Sequence, residues 1–324
     1  MAFTRYDPEA TPTARIGLGL AAVGRPGYLT LGRTRDLPAD RTVEALRERT
    51  HHLLDAAYAQ GVRYLDAARS YGRAEEFLAD WLANRAEAAK DLVVGSKWGY
   101  TYTADWRTEA DTHETKDHGA ATLDRQLGES TALLGRRLDL YQVHSVTPGS
   151  PALGDPAVLA RLARLVEDGV TVGLSTSGPD QAEAIRAALD VTVGGRPLYS
   201  TVQATFNLLE PSAGPALAEA HAAGRTVLVK EALANGRLAG EAAPPELRRL
   251  AQDSGTTPDA VALAAVLAQP WAGLVLSGAA TVGQLTENVT AATLSLDPAR
   301  LASLARLVEP PTTYWRTRSA LPWN

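Results

Sequence analysis

Short apolar runs alternate with longer amphipathic stretches along nearly the whole chain. Eight runs read as strands: Arg15–Leu20, Val62–Asp66, Leu92–Lys97, Leu138–His144, Val170–Ser175, Tyr199–Phe206, Thr226–Lys230 and Gly273–Ser277. Between them, apolar positions recur with the helical period at Thr42–Gln60, Arg73–Ala89, Ala120–Leu134, Asp155–Asp168, Pro179–Leu189, Ala213–Ala223, Pro245–Asp253 with Pro258–Ala268, and Thr281–Ala292. The strands are rich in Val, Leu and Tyr without strict alternation, the pattern of strands covered on both faces. Gly61, Gly169, Gly224 and Gly273 stand where a helix hands over to a strand, the usual helix stop.

Eight strand–helix units in succession imply parallel strands joined by right-handed crossovers. The simplest closure is an α/β fold of the (β/α)8 TIM-barrel type, with a doubly wound open sheet as the alternative. No Pro/Gly/Ser-rich linker divides the chain, so residues 1–324 are expected to form one domain, with the barrel over 14–309. Two segments fall outside the repeat. One is a polar loop, Gly99–Gly119, after the third strand; the other is a C-terminal tail, 310–324, opening at Pro310-Pro311.

Composition narrows the function classes. The 324 residues include 45% hydrophobic ones, enough for a core and ordinary for an α/β barrel, which excludes a disordered chain. Lys and Arg number 32 against 37 Asp and Glu, net −5, with no long block of either sign; that argues against a nucleic-acid partner. The absence of cysteine removes disulfides, thiolate metal sites and cysteine nucleophiles, and fits a reducing, cytoplasmic setting. Met1–Pro8 lacks the apolar core of a signal peptide. Ala260–Thr286 carries no charge, but Gln269-Pro270, Gly273, Gly278 and Gly283 interrupt it. It reads as a buried helix followed by a buried strand, and no membrane partner is expected.

In an α/β barrel, chemistry gathers at the C-terminal ends of the strands. There the second strand ends in Asp66, with Tyr71 five residues later; the third ends in Lys97 and the fourth in His144. Singly, each has an ordinary structural use, as a cap, loop packing, an ion pair or a core histidine. Together they form a set. A phenol with a reference pKa near ~10 is a poor acid at neutral pH unless a cation steadies its phenolate. The ammonium in turn needs a carboxylate in a dry site. A histidine beside them can hydrogen-bond a carbonyl oxygen, so the set suits protonation of an oxygen that is receiving electrons.

Val62–Gly72, with Glu75 beyond it, Gly95-Ser96-Lys97-Trp98-Gly99 and Leu138–His144 together resemble the signatures of the aldo/keto reductase family over most of the chain. The resemblance implies that Asp66, Tyr71, Lys97 and His144 are the catalytic tetrad, with Tyr71 as general acid. It implies NADPH as hydride donor, bound without a Rossmann unit, and no strand–GxGxxG–helix occurs here. A small carbonyl compound is the implied substrate and the oligomeric state stays open. A dinucleotide-binding regulatory or structural subunit on the same scaffold is the alternative reading.

By the same resemblance, the dinucleotide site comprises Gly19 and Leu20; Ser175, Thr176 and Gln203; Lys230, Glu231, Ala232, Leu233 and Arg237; and Ser277, Gly278, Ala280, Thr281, Gln284 and Asn288. Three departures from the family pattern stand out. Thr176 replaces a common Asn. Lys230 stands where an aromatic residue often covers the nicotinamide, and is open to three roles: covering the ring with its stem, pairing with Glu231, or pairing with a substrate carboxylate. Ala280 and Gln284 occupy positions that often carry the Lys or Arg of a 2′-phosphate site, which weakens strict NADPH preference and leaves NAD as an alternative. Tyr28, Trp98 and Phe206 are expected at the substrate pocket. His113 and His118 lack a third ligand, so no metal is expected. The aromatic tail is expected to fold back on the barrel mouth and shape specificity.

Overall fold

The computed structural model describes residues 6–37 and 40–324, so Met1–Arg5 of the signal-peptide reading lie outside the described residues. Its twelve strands are β1 Ile16–Gly19, β2 Tyr64–Asp66, β3 Val93–Trp98, β4 Tyr100–Tyr102, β5 Glu114–Lys116, β6 Leu140–Val146, β7 Thr171–Thr176, β8 Thr192–Val193, β9 Arg196–Pro197, β10 Thr201–Thr205, β11 Thr226–Lys230 and β12 Leu274–Ser277. Eight of them close a parallel barrel in the order β1-β12-β11-β10-β7-β6-β3-β2, the (β/α)8 arrangement expected from the repeat. The open-sheet alternative is thereby excluded.

The helices are α1 Arg33–Asp36, α2 Val43–Ala59, α3 Ala74–Ala83, α4 Ala88–Asp91, α5 Ala120–Leu134, α6 Pro156–Glu167, α7 Gln181–Leu189, α8 Gly214–Ala222, α9 Pro245–Asp253, α10 Pro258–Leu267, α11 Val282–Thr290, α12 Pro298–Ser303 and α13 Pro311–Ser319. Their starts follow the local chemistry. Thr42, Asp155, Thr257 and Thr281 each accept a hydrogen bond from a backbone N–H of the first turn, and Pro156 and Pro258 open their helices where no N–H is needed. Gly61, Gly169 and Gly224 take left-handed backbone after their helices. Gly273 does not; its N–H instead bonds Val227 O at 3.1 Å, where the chain leads into β12.

Several strand bounds differ from the sequence reading by a residue or two, β6 running on to Val146 rather than ending at His144, and two departures are larger. The expected helix Arg73–Ala89 stops at Ala83, and the expected loop Gly99–Gly119 contains an antiparallel hairpin, β4 with β5. The uncharged stretch 260–286 is divided between α10, β12 and the start of α11, and no described helix is long and apolar enough to cross a membrane.

Strand alternation places the site. Tyr64, Val93, Leu140, Leu228, Leu274 and Leu276 form one buried cluster, apart from the larger core between strands and helices. Period two puts Asp66 above Tyr64, Lys97 two steps above Val93, Gln142 above Leu140, and Lys230 above Leu228. An apolar lower layer thus supports a polar upper layer at the C-terminal mouth.

Candidate active site

Lys97, with no solvent exposure, is ion-paired to Asp66 Oδ2, donates to Ala67 O at 3.0 Å, and reaches Tyr71 Oη at 3.4 Å. The other oxygen of Asp66 accepts from Tyr64 Oη at 3.0 Å and Gln203 Nε2 at 3.1 Å. The carboxylate is therefore saturated with donors, as a buried charge requires.

Tyr71 lies in the turn before α3, and that turn is locked from several sides. Arg69 N bonds Lys97 O at 3.0 Å, while Arg73 N bonds Gly24 O at 2.8 Å. Gly24 must lack a side chain, because a Cβ there would stand 2.4 Å from Tyr71 O. Buried Glu75 pairs with Arg69 and accepts from Ser96 Oγ at 2.5 Å and Ser130 Oγ at 2.7 Å, tying α3 to β3 and α5.

The His144 ring meets Tyr71 edge-on at 5.5 Å and Tyr100 at 5.1 Å. Behind it, His118 Nε2 bonds His144 O at 2.8 Å and His118 Nδ1 bonds Ser150 Oγ at 2.6 Å. Burial holds His118 neutral, its pKa pushed down to about 4, so Nε2–H is the donor to that carbonyl and Nδ1 accepts from Ser150. Burial, then Lys97, Lys230 and Arg25, push His144 well below the usual imidazole range, so it too is neutral. Burial and then the charge of Asp66 raise the Tyr71 hydroxyl well above the phenol range, with Arg25 opposing, so Tyr71 holds its proton.

An open cleft of roughly 390 Å³ runs from this cluster across the barrel mouth. Asp66, Tyr71 and His144 line it, as do Gly19, Gln203, Lys230, Glu231, Ala232, Leu233, Ser277, Gly278, Ala280, Gln284, Asn288 and Tyr28. Other candidates lie outside the lining. Leu20 is buried with its N–H on Asp66 O at 2.9 Å, and Ser175 Oγ accepts from Ser145 N at 2.8 Å. Thr176 is buried and Thr281 caps α11, accepting from Gln284 N at 3.2 Å. Arg237 pairs with Glu309 beside the Tyr314 ring, which occupies the guanidinium away from the cleft. Trp98 is fully buried edge-on to His118, and Phe206 packs edge-on to Trp271 at 4.8 Å; burial against these rings explains why neither reaches the cleft wall.

Several lining residues carried no sequence signal. Arg25, almost wholly buried, bonds Ser70 O at 2.8 Å and Glu114 at 3.0 Å, with its guanidinium over the rings of Tyr71 and Trp323. Arg318 arrives from α13 and forks onto Glu231. The tail does return to the mouth: Leu29 bridges Trp323, Asn324 N bonds Tyr28 O at 3.2 Å, and the Trp323 indole stacks on His113 at 4.0 Å. The aromatic richness of the tail is the sequence signal for this. No group of three metal-ligating side chains occurs among the described residues.

Comparison with known proteins agrees with this architecture. A model of the aldo/keto reductase family matches residues 15–309. Aldo-keto reductase str7 of Strobilurus tenacellus is 27% identical over 330 residues, covering 92% of each chain. Protein tas of Escherichia coli is 25% identical over 305 residues, 78% of this chain and 87% of that one. Among solved structures, PA4992 of Pseudomonas aeruginosa, assigned to the aldo-keto reductases, superposes with a TM-score of 0.62 at 25% identity, over 86% of this chain and 88% of that one. The holo form of aldo-keto reductase AKR11C1 from Bacillus halodurans gives 0.68 over 91% and 92% of the two chains; at 19% identity it bears on the fold alone. By the family match over nearly the whole barrel, the chain belongs to the aldo/keto reductase family.

Proposed function

We propose that this protein reduces an aldehyde or ketone to an alcohol with a nicotinamide dinucleotide, and that Tyr71 delivers the proton. Members of the family are oxidoreductases that act on small carbonyl compounds and generally use NAD(P)H. The observation that carries the reading is Lys97 Nζ standing between Asp66 and the Tyr71 oxygen, beside His144 on the cleft wall.

The residues fit such a cofactor. The cleft extends from Tyr71 to the start of α11, and Asn288 Oδ1 is buried with no partner among the described residues, an acceptor in the region expected to take the adenine end. A bound dinucleotide supplies a hydride to the carbonyl carbon. The protein's part is proton transfer and orientation. His144, neutral, hydrogen-bonds the carbonyl oxygen and positions it beside Tyr71. As charge develops on that oxygen, the Tyr71 hydroxyl protonates it; an alkoxide is basic enough to take a proton even from a phenol whose pKa burial has raised. Lys97 then holds the phenolate at 3.4 Å, and Asp66 keeps the ammonium in place. NADPH is the proposed cofactor with NADH as alternative, since Ala280 and Gln284 bring no cation to α11. One domain, a cytoplasmic setting and no nucleic-acid partner complete the proposal.

Fluorescence titration with NADPH and NADH should show binding to at least one, and silence from both would refute the reading. Tyr71→Phe should retain dinucleotide binding and lose most turnover in an aldehyde and ketone screen. Binding without turnover of any carbonyl compound would favour the non-catalytic subunit instead.

A further inference from the structure

Three ion-paired groups of side chains surround the reacting end of the cleft, and their charges do not all cancel. Lys97 with Asp66 is neutral as a pair, and so is Arg25 with Glu114. The third group is different. Arg318 bonds Glu231 through Nε at 3.0 and 3.1 Å and through Nη2 at 2.5 Å, while Lys230 Nζ stands 3.8 Å from the same Oε1. Two cations thus share one carboxylate, which leaves a surplus positive charge on the wall of the cleft.

Both cations keep unused donors. Lys230 spends one N–H on Thr205 Oγ1 at 2.8 Å, and its other two have no hydrogen-bond partner among the described residues. Arg318 Nη1 has none either. The arrangement is rigidly built: Glu231 holds left-handed backbone at φ 56°, and it accepts from Thr205 Oγ1 at 3.2 Å, so the β10 hydroxyl links Lys230 to Glu231. Lys230 and His144 line the same cleft, and the Lys230 charge is one of the causes that depress His144, so the surplus faces the cleft that holds the tetrad.

We propose that Lys230, with Arg318 reaching in from the C-terminal helix, binds an anionic group on the substrate, so that the preferred substrates are carbonyl compounds bearing a carboxylate. This rests on the carbonyl-reductase reading above. Planar carboxylates suit a site with one point cation and one guanidinium edge. Burial draws Lys230 down to about 8, with Glu231 opposing, so at neutral pH it is charged and ready to pair. The phosphates of a dinucleotide offer the same anionic chemistry, and the test separates the two sources.

The test compares 4-carboxybenzaldehyde with its methyl ester, which share the benzaldehyde frame and differ in charge; the ester withdraws electrons more strongly and is the more reactive carbonyl, so a preference for the acid is owed to the protein. The ratio of their kcat/KM values should favour the acid in the natural protein. It should fall by about tenfold or more in Lys230→Met, fall likewise in Arg318→Met, and survive in Lys230→Arg. Taking a ratio cancels any loss the two substrates share through misfolding or weaker cofactor binding. A natural protein that reduces the ester as well as the acid, or a ratio unmoved by Lys230→Met, would overturn the inference and leave carbonyl reduction standing. A dinucleotide Kd raised tenfold by Lys230→Met with an unmoved ratio would assign the charge to the cofactor and also overturn it. If neither aldehyde is reduced, calorimetric titration with unreactive benzoate decides the anion site alone, and the carbonyl-reductase reading fails only if the wider aldehyde and ketone screen is silent as well. Benzoate binding lost in Lys230→Met sustains the anion site, and no binding ends it.

Discussion

Gly99→Ala is predicted to damage the site from behind. Gly99 adopts φ +110°, a conformation that L side chains rarely take, and an added Cβ would lie 2.4 Å from His118 Cδ2 and 2.7 Å from Nε2. The backbone cannot step aside, because Gly99 N bonds Gln126 Oε1 at 2.8 Å and its carbonyl accepts from Asp117 N at 2.9 Å. His118 must therefore move, which breaks its bond to the backbone carbonyl of His144 and its bond to Ser150. Backbone strain costs about 1–3 kcal/mol. An unsatisfied buried group adds about 1–3 kcal/mol, so a total of about 2–6 kcal/mol is expected. Urea unfolding followed by tryptophan fluorescence measures it, and a cycle with His118→Ala separates the parts. With the imidazole gone, Gly99→Ala should cost only the strain, a coupling of about 1–3 kcal/mol. Costs that add within about 0.5 kcal/mol, or a single-variant loss under about 1 kcal/mol, would refute the proposed clash.

Three further outcomes follow from named contacts. Lys97→Met strands Asp66 as a buried carboxylate and should cost about 3–5 kcal/mol in urea unfolding, most of it recovered in Asp66→Asn/Lys97→Met; a single variant as stable as the natural protein would refute the coupling. Burial alone would raise Glu231, but Arg318 and Lys230 outweigh it and hold the carboxyl at about 2, below its ordinary 4.5, worth roughly 3 kcal/mol. Because the folded value is depressed, that stability is complete above about pH 4.5 and is lost as pH falls toward 2; the stability deficit of Glu231→Gln should shrink over this window, and a constant deficit would contradict the pairing. Gln284→Arg places a guanidinium on the first turn of α11 and should tighten NADPH relative to NADH by about fivefold or more in fluorescence titrations, whereas an unchanged ratio would place the 2′-position elsewhere.

The barrel was legible because each of its strands is a local event, a short apolar run between helix signals. Asp66, Lys97 and His144 were legible for the same reason, since strand ends locate themselves once the strands are known. What escaped is nonlocal. Arg318 pairs with Glu231 across 87 positions and Arg25 with Glu114 across 89, and no periodicity links such partners. The hairpin β4–β5 was hidden because Tyr100–Tyr102 and Glu114–Lys116 are short, exposed to half-buried strands without an apolar face. Trp98 and Phe206, expected at the pocket, are buried and lie outside the cleft lining. An aromatic residue near a strand end packs equally well beneath a loop, and sequence position does not tell which side of the loop it takes. Arg237 has the right chemistry for phosphate, but Glu309 occupies it.

The neutral state of His144 decides which group moves the proton. An imidazolium there would be buried, and would face Lys97, Lys230 and Arg25 at once. Its Nδ1 is buried without a partner among the described residues, so placing the proton on Nδ1 would bury an unsatisfied N–H. The less costly tautomer carries it on Nε2, free for a substrate oxygen. A group so held has no proton to spare and does not titrate near an ordinary ~6.5. The pH profile of turnover under saturating substrate should therefore lack an inflection between about pH 5.5 and 7.5. Histidine acting as the acid would produce a limb in that range, and its removal by His144→Gln would refute the assignment. A flat profile is the outcome expected when Tyr71, steadied by Lys97, delivers the proton in place of His144.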